Sequence, residues 1–151
     1  MSFVRAIEIF GVVNFLSHCA KIREMQNPSR PFSVLIVEDV DEMRGLLEYV
    51  LQGIPEISLS GAAKNGFEAR LELSRRKPTL VLLDEVLPGE SSLDLLNEFK
   101  SNEVKVVLMT SLENPSKVLP AGVIGRMAKP GWKSIEEDRL RIQRFLFQPA
   151  K

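Results

Sequence analysis

Apolar residues in this chain fall into two kinds of pattern, unbroken runs and stripes at helical spacing. Val34-Leu35-Ile36-Val37 and Leu80-Val81-Leu82-Leu83 are unbroken, β-branched or aliphatic throughout with no polar alternation, as in strands buried on both faces of a parallel sheet. Met43, Leu46, Leu47, Val50 and Leu51 instead form a helical stripe, which Gly53 and Pro55 bring to an end. The pattern then predicts a second strand over 57–62, a second helix over 66–75 and a third strand over 79–83 that leads into Asp84. Ser91 or Ser92 caps a third helix reaching Phe99, with Leu93, Leu95, Leu96 and Phe99 on its apolar face. Residues 104–109 form another apolar run, and a last helix after Lys129 draws its core contacts from Leu140, Phe145 and Leu146. Strand and helix alternate, so the expected fold is α/β, with right-handed crossovers and a doubly wound sheet.

The two unbroken runs both end in acid. Glu38 and Asp39 follow the first and Asp84 follows the second. In an open α/β sheet, ligands bind beyond the carboxyl ends of the strands, so adjacent strands ending this way gather three carboxylates around one hard cation. A magnesium site beside a nucleophile is the expectation. The run over 104–109 ends in the hydroxyls Thr110 and Ser111, and Met127-Ala128 leads into Lys129-Pro130. A hydroxyl and an ammonium are what a phosphoryl group needs on its remaining oxygens. Each piece has a plainer reading: a solvated Glu-Asp loop, Asp39 as a helix cap, a turn threonine, an uninformative Lys-Pro. Their conjunction, in this order and each at a strand's C-terminal end, favours the site.

With acid, acid, hydroxyl and lysine in this order, and Leu82-Leu83-Asp84-Glu85-Val86-Leu87-Pro88-Gly89 around the central acid, roughly residues 33–147 resemble the receiver domain of two-component response regulators, in particular the stand-alone, chemotaxis-regulator-like kind. The resemblance implies a flavodoxin-like, five-stranded parallel sheet in the order 2-1-3-4-5. It implies that Asp84 is the phosphoacceptor, that Glu38, Asp39 and Asp84 bind magnesium, and that Thr110 and Lys129 contact the phosphoryl oxygens. It further implies a histidine kinase or phosphotransfer protein as donor and a downstream protein as output. Magnesium-dependent self-phosphorylation from a phosphodonor, with slow autodephosphorylation, would accompany this. Receivers also resemble one another in a cis bond between this lysine and its proline, here Lys129-Pro130, which helps aim the lysine. The function so implied is a single-domain regulator that signals by protein–protein binding. The alternative is a receiver-fold interaction module that has lost its phosphorylation-dependent switch.

Bulk composition narrows the alternatives. At 151 residues the chain is one domain by size, divided here into an N-terminal appendage and linker over 1–32 and a receiver over 33–148. Twenty basic and twenty acidic residues cancel, so overall charge draws it to neither nucleic acid nor an anionic membrane. Arg139, Arg141 and Arg144 read as the solvated face of the last helix, with no base-reading motif beside them. Cys19 is single, which leaves no internal disulfide and fits a reducing cytoplasm, and His18 lacks companions for metal or acid–base chemistry. Before Asn27, the apolar residues Phe3, Val4, Ile7, Phe10, Val13 and Phe15 are interrupted by Arg5, Glu8 and Asn14. That stretch is too short and broken for a membrane span and shows no clear signal cleavage site. It reads as an appended helix packing on the receiver or a partner, or as sequence ahead of a start at Met25, with 27–31 as a linker.

Several positions depart from the receiver pattern. Arg126 stands three residues before the lysine, where receivers carry an aromatic whose rotamer follows phosphorylation. A guanidinium does not enter an apolar slot, so Arg126 is expected outside, meeting acid on a partner, as a switch or interface residue. Pro115 and Pro120 predict a fourth helix that is short, irregular or absent. Ser92 replaces a loop glycine, and Val86 with Leu112 makes the approach to Asp84 more apolar. A phosphatase or dehalogenase built on a nucleophilic aspartate would want a second acid where Val86 stands. The sequence ends a single helix after Lys129, so no DNA-binding or enzymatic effector is expected.

Overall fold

A computed structural model describes residues 32–147 apart from 112 and 114. The expectations for the appendage, the linker, His18, Cys19, Met25 and Leu112 lie outside the described residues. In chain order the elements are β1 (Phe32–Val37), α1 (Asp41–Gln52), β2 (Ile57–Ala63), α2 (Gly66–Arg75), β3 (Leu80–Asp84), α3 (Ser92–Ser101), β4 (Lys105–Thr110), β5 (Val123–Ala128) and α4 (Ile135–Leu146). All strand pairs are parallel, in the order β2-β1-β3-β4-β5. The flavodoxin-like topology is therefore the observed one.

The unbroken apolar runs are explained by two cores, one on each face of the sheet. Val34, Ile36, Leu80, Leu82, Val107 and Met109 point into one core with Leu47, Val50 and Leu51 of α1 and Ile142 and Leu146 of α4. The alternate residues Leu35, Val37, Val81, Leu83 and Leu108 point into the other with Ala69 of α2 and Leu95, Leu96 and Phe99 of α3. Each large side chain removed from water in this way contributes about 1.5–3 kcal/mol against the entropy of ordering the chain. A polar residue at any of these strand positions would face one core or the other, which is why the runs contain none.

Helix starts follow local chemistry. Asn65 caps α2, its side chain accepting from the Glu68 N–H at 2.9 Å, and Ser91 caps α3, accepting from the Leu93 N–H at 3.3 Å. Leu93 and Leu140, expected in the core, are instead exposed, because the buried stripes run through Leu95, Leu96 and Phe99 on α3 and through Asp138, Ile142 and Leu146 on α4. Between β4 and β5 no helix occurs among the described residues, as Pro115 and Pro120 predict. The strand instead re-enters the sheet through a turn in which the Val123 N–H donates to the Pro120 carbonyl at 3.1 Å and Gly122 takes φ +87°, a conformation that favours glycine.

Helix α4 packs directly on β5 at Gly125. A β-carbon there would lie 2.1 Å from Cε1 of Phe145, so the ring fills the space an ordinary side chain would need. Gly125→Ala is expected to lower stability by about 1–3 kcal/mol, the usual penalty for overpacking. Urea denaturation checks this, with a lower midpoint at unchanged slope as the expected result.

Candidate functional site

The register of the sheet sets the site. Val37 pairs with Leu83, Asp84 with Met109, and Thr110 with Ala128, so Glu38, Asp84, Thr110 and Lys129 emerge side by side at one end of four neighbouring strands. Backbone bonds carry each ladder one step further: Glu38 N–H to Ala63 O, Glu85 N–H to Met109 O and Lys129 N–H to Thr110 O, each 2.9 Å. Side chains placed by ladders are fixed more tightly than side chains placed by loops.

Carboxylate oxygens of Glu38, Asp39 and Asp84 lie within 4.8 Å of one another. The Lys129 ammonium sits against two of them, with Nζ 3.0 Å from Oε2 of Glu38 and 3.1 Å from Oδ2 of Asp84. Oε1 of Glu38 accepts from the Val40 N–H at 3.1 Å, and Oδ1 of Asp84 accepts from the Val86 N–H at 3.0 Å. Arg44 steadies the acid turn by donating to the Glu38 carbonyl at 2.9 Å. Glu38, Asp84 and Thr110 are all buried, and Asp39 is half-buried.

Burial raises the pKa of Glu38, and the nearby Asp84 charge adds to the rise, while the Val40 N–H and Lys129 pull it back only in part. Burial also opposes the charge on Lys129, but its hydrogen bonds and Coulomb attraction to Glu38 and Asp84 outweigh that and raise its pKa. A single ammonium thus pairs with two of three clustered acids. The residues fit a hard divalent cation: the donors are all oxygen, they are near the roughly 4 Å that spans an octahedral magnesium shell, and the buried Oε2 of Glu38 is met only by the Lys129 ammonium among the described residues.

Two expectations need correcting. There is no cis peptide bond among the described residues, so the bond before Pro130 is trans, the form that X-Pro bonds prefer. The lysine is aimed instead by the end of β5, through its backbone bond to Thr110. Arg126 is not outside: its side chain is only 9 % exposed and Nη2 lies 2.8 Å from Oε1 of Glu85. Its acid partner belongs to the same chain, and desolvating the guanidinium becomes tolerable once it is so paired.

Sequence reasoning missed three other residues. Glu85 was visible only as the neighbour of Asp84. Ser92, read only as a possible helix cap in place of a loop glycine, donates its hydroxyl to the Glu85 carbonyl at 2.8 Å. Asp138 is buried and accepts from Ser134 Oγ at 2.8 Å and from the Gly131 N–H at 3.2 Å, holding the turn that follows Lys129-Pro130. Its spacing of four from Ser134 was the available signal.

Residues 34–140 match the family described as response regulator receiver domain. This chain belongs to that family. Curated relatives include a protein-glutamate methylesterase/protein-glutamine glutaminase from Rhizobium etli, 35 % identical over 109 residues, covering 68 % of this chain and 31 % of the relative. Another is the response regulator GacA of Pseudomonas protegens, 32 % identical over 101 residues, covering 64 % of this chain and 47 % of the relative. The chain spans about a third to a half of the length of these relatives. Among solved structures, the response regulator domain of CheB from Thermotoga maritima superposes with a TM-score of 0.62 at 21 % identity, covering 78 % of this chain and 98 % of that one. A complex of CheY6 with the P1 domain of CheA3 from R. sphaeroides gives 0.66 at 24 % identity, covering 78 % and 98 %. These structures share the receiver fold. Among the described residues, no helix of this receiver is long and apolar enough to cross a membrane.

Proposed function

We propose that this receiver accepts a phosphoryl group on Asp84 from a histidine kinase or phosphotransfer protein and passes the signal on by protein–protein binding in the cytoplasm. The observation that carries this reading is the placement of Asp84, buried at the end of β3, against the Lys129 ammonium and two further carboxylates. An Asp84 oxygen attacks phosphorus, the bond from phosphorus to the donor's imidazole nitrogen breaks, and its electron pair leaves with the imidazole. Lys129 then moves its ammonium from Glu38 and Asp84 onto the transferred group, and the Thr110 hydroxyl donates to another phosphoryl oxygen. Glu38, Asp39 and Asp84 would hold magnesium, which supplies the positive charge that offsets repulsion between carboxylate and anionic donor. Val86, exposed at the mouth of the site, offers no polar group to orient an attacking water, so autodephosphorylation is slow.

Acetyl phosphate with magnesium should add the mass of one phosphoryl group per chain, removable by alkali as an acyl phosphate is. Beryllofluoride with magnesium should change the fluorescence of Trp132, the single tryptophan, which is exposed three residues beyond Lys129. Absence of both responses would leave the second reading, an interaction module without a phosphorylation switch, which the arginine in place of an aromatic at position 126 favours.

A further inference from the structure

Glu85 follows Asp84 directly, and its backbone is fixed on both sides, by the N–H bond to Met109 and by the Ser92 hydroxyl on its carbonyl. Its side chain crosses over β4 to meet Arg126 on β5. The same guanidinium reaches in the other direction: Nη1 donates to the Ser116 carbonyl and, at 3.4 Å, to the Val118 carbonyl. One residue therefore ties the peptide after the phosphoacceptor to the loop between β4 and β5. The tie is incomplete. Oε2 of Glu85 and Nε of Arg126 are both buried with no hydrogen-bond partner among the described residues, although an arginine and a carboxylate can form two parallel bonds. The guanidinium divides its donors between the loop carbonyls and the acid, and either side could hold more of them.

We propose that Glu85 and Arg126 form a charged latch that reports the state of Asp84 to the Pro115–Pro120 loop, in place of an aromatic rotamer. This rests on the reading of Asp84 as phosphoacceptor. A phosphoryl group on Asp84 adds negative charge beside Glu85, draws the guanidinium toward the end of β3 and loosens its hold on Ser116 and Val118. Val118, a residue 77 % exposed, and its neighbour Leu119 then change their presentation to solvent. The loop carries two prolines and has no helix of its own to hold it among the described residues, so the arginine is the side chain that anchors two of its carbonyls.

Amide hydrogen exchange of Ser116, Lys117, Val118 and Leu119 tests the latch, measured with and without magnesium and beryllofluoride while Trp132 fluorescence reports ligand binding separately. In the parent, ligand should speed exchange of these amides by roughly tenfold, the effect of losing a charge-assisted hydrogen bond. Arg126→Lys keeps the charge but loses the fork, and Glu85→Gln keeps the shape but loses the charge. Both variants should still give the Trp132 response; loop exchange should already be fast and unresponsive to ligand in Arg126→Lys, and should respond clearly less than the parent's in Glu85→Gln, where only the charge on Asp84 still draws the guanidinium. A loop response in the variants equal to the parent's, or an unresponsive parent loop despite a full Trp132 titration, overturns the latch. No Trp132 response and no phosphoryl incorporation in the parent would overturn the phosphoacceptor reading itself, and the latch with it.

Discussion

Asp84→Ala is expected to abolish phosphoryl incorporation from acetyl phosphate and magnesium, reducing it to the background of a heat-denatured control. On the proposed function the substitution removes the attacking oxygen, and no other carboxylate shares its position at the end of β3 beside Lys129. Glu38 is buried and faces the same ammonium, but it belongs to the adjacent strand and its Oε1 is committed to the Val40 N–H. The fold should survive, since the change takes one negative charge from a cluster of three acids and leaves Lys129 paired with Glu38. Circular dichroism and the urea midpoint check that point. Intact-mass measurement of the variant decides the main one: retained labelling would move the acceptor to another acid, with half-buried Asp39 the first to examine.

The fold was legible because its signal is strong wherever a strand is buried on both faces. Val34–Val37 and Leu80–Leu83 could hardly be anything else, and the acids that follow them are visible because nothing apolar intervenes. Helical stripes were read less well. Leu93 and Leu140 are apolar residues on exposed helix surface, a common arrangement that a sequence cannot distinguish from core. Asp138 shows the opposite failure, a buried acid that repays its desolvation by accepting from Ser134 and Gly131.

Arg126 marks the limit of local reasoning. Its charge argued for solvent or a partner, yet a residue 41 positions away supplies the acid. That pairing depends on the order β3-β4-β5, which brings the end of β3 within reach of β5 across one intervening strand. Only the tertiary arrangement turns Glu85 from a loop acid into a partner. Position 126 is also where the chain departs from the receiver pattern, and the departure is matched by a second change, a loop between β4 and β5 with no helix among the described residues. An arginine needs carbonyls and an acid, and here the loop provides the carbonyls while Glu85, after β3, provides the acid.

Neutralising one acid should trade metal binding for stability, and the trade depends on pH in a direction the site fixes. Without divalent ions, Glu38 carries a pKa raised by burial and by the Asp84 charge, so the native state holds its proton more tightly than the unfolded chain does. Ionised Glu38 therefore weakens the fold at pH values above its native pKa. Stability should rise as pH falls through that value, and the gain should be complete below the ordinary glutamate value of about 4.3. Lys129 contributes no slope in this window, because a lysine with a raised pKa contributes fully below about 10.4 and loses its contribution only as pH rises through its native value. Glu38→Gln should accordingly melt higher than the parent at neutral pH in chelator and should lose the part of the pH slope that belongs to this residue. Magnesium should reverse the ranking: held by these acids it would stabilise the parent by mass action, while the variant, like Asp39→Asn, should bind it about a hundredfold more weakly, since loss of an outer-shell partner alone costs roughly 10–100-fold. Thermal melts across pH in chelator and in magnesium, with calorimetric titration of the ion, measure both halves. Equal magnesium affinity in parent and variants would place the ion away from these three carboxylates, and an unchanged pH slope in Glu38→Gln would mean that the charge on Glu38 is already compensated by Lys129 before any metal arrives.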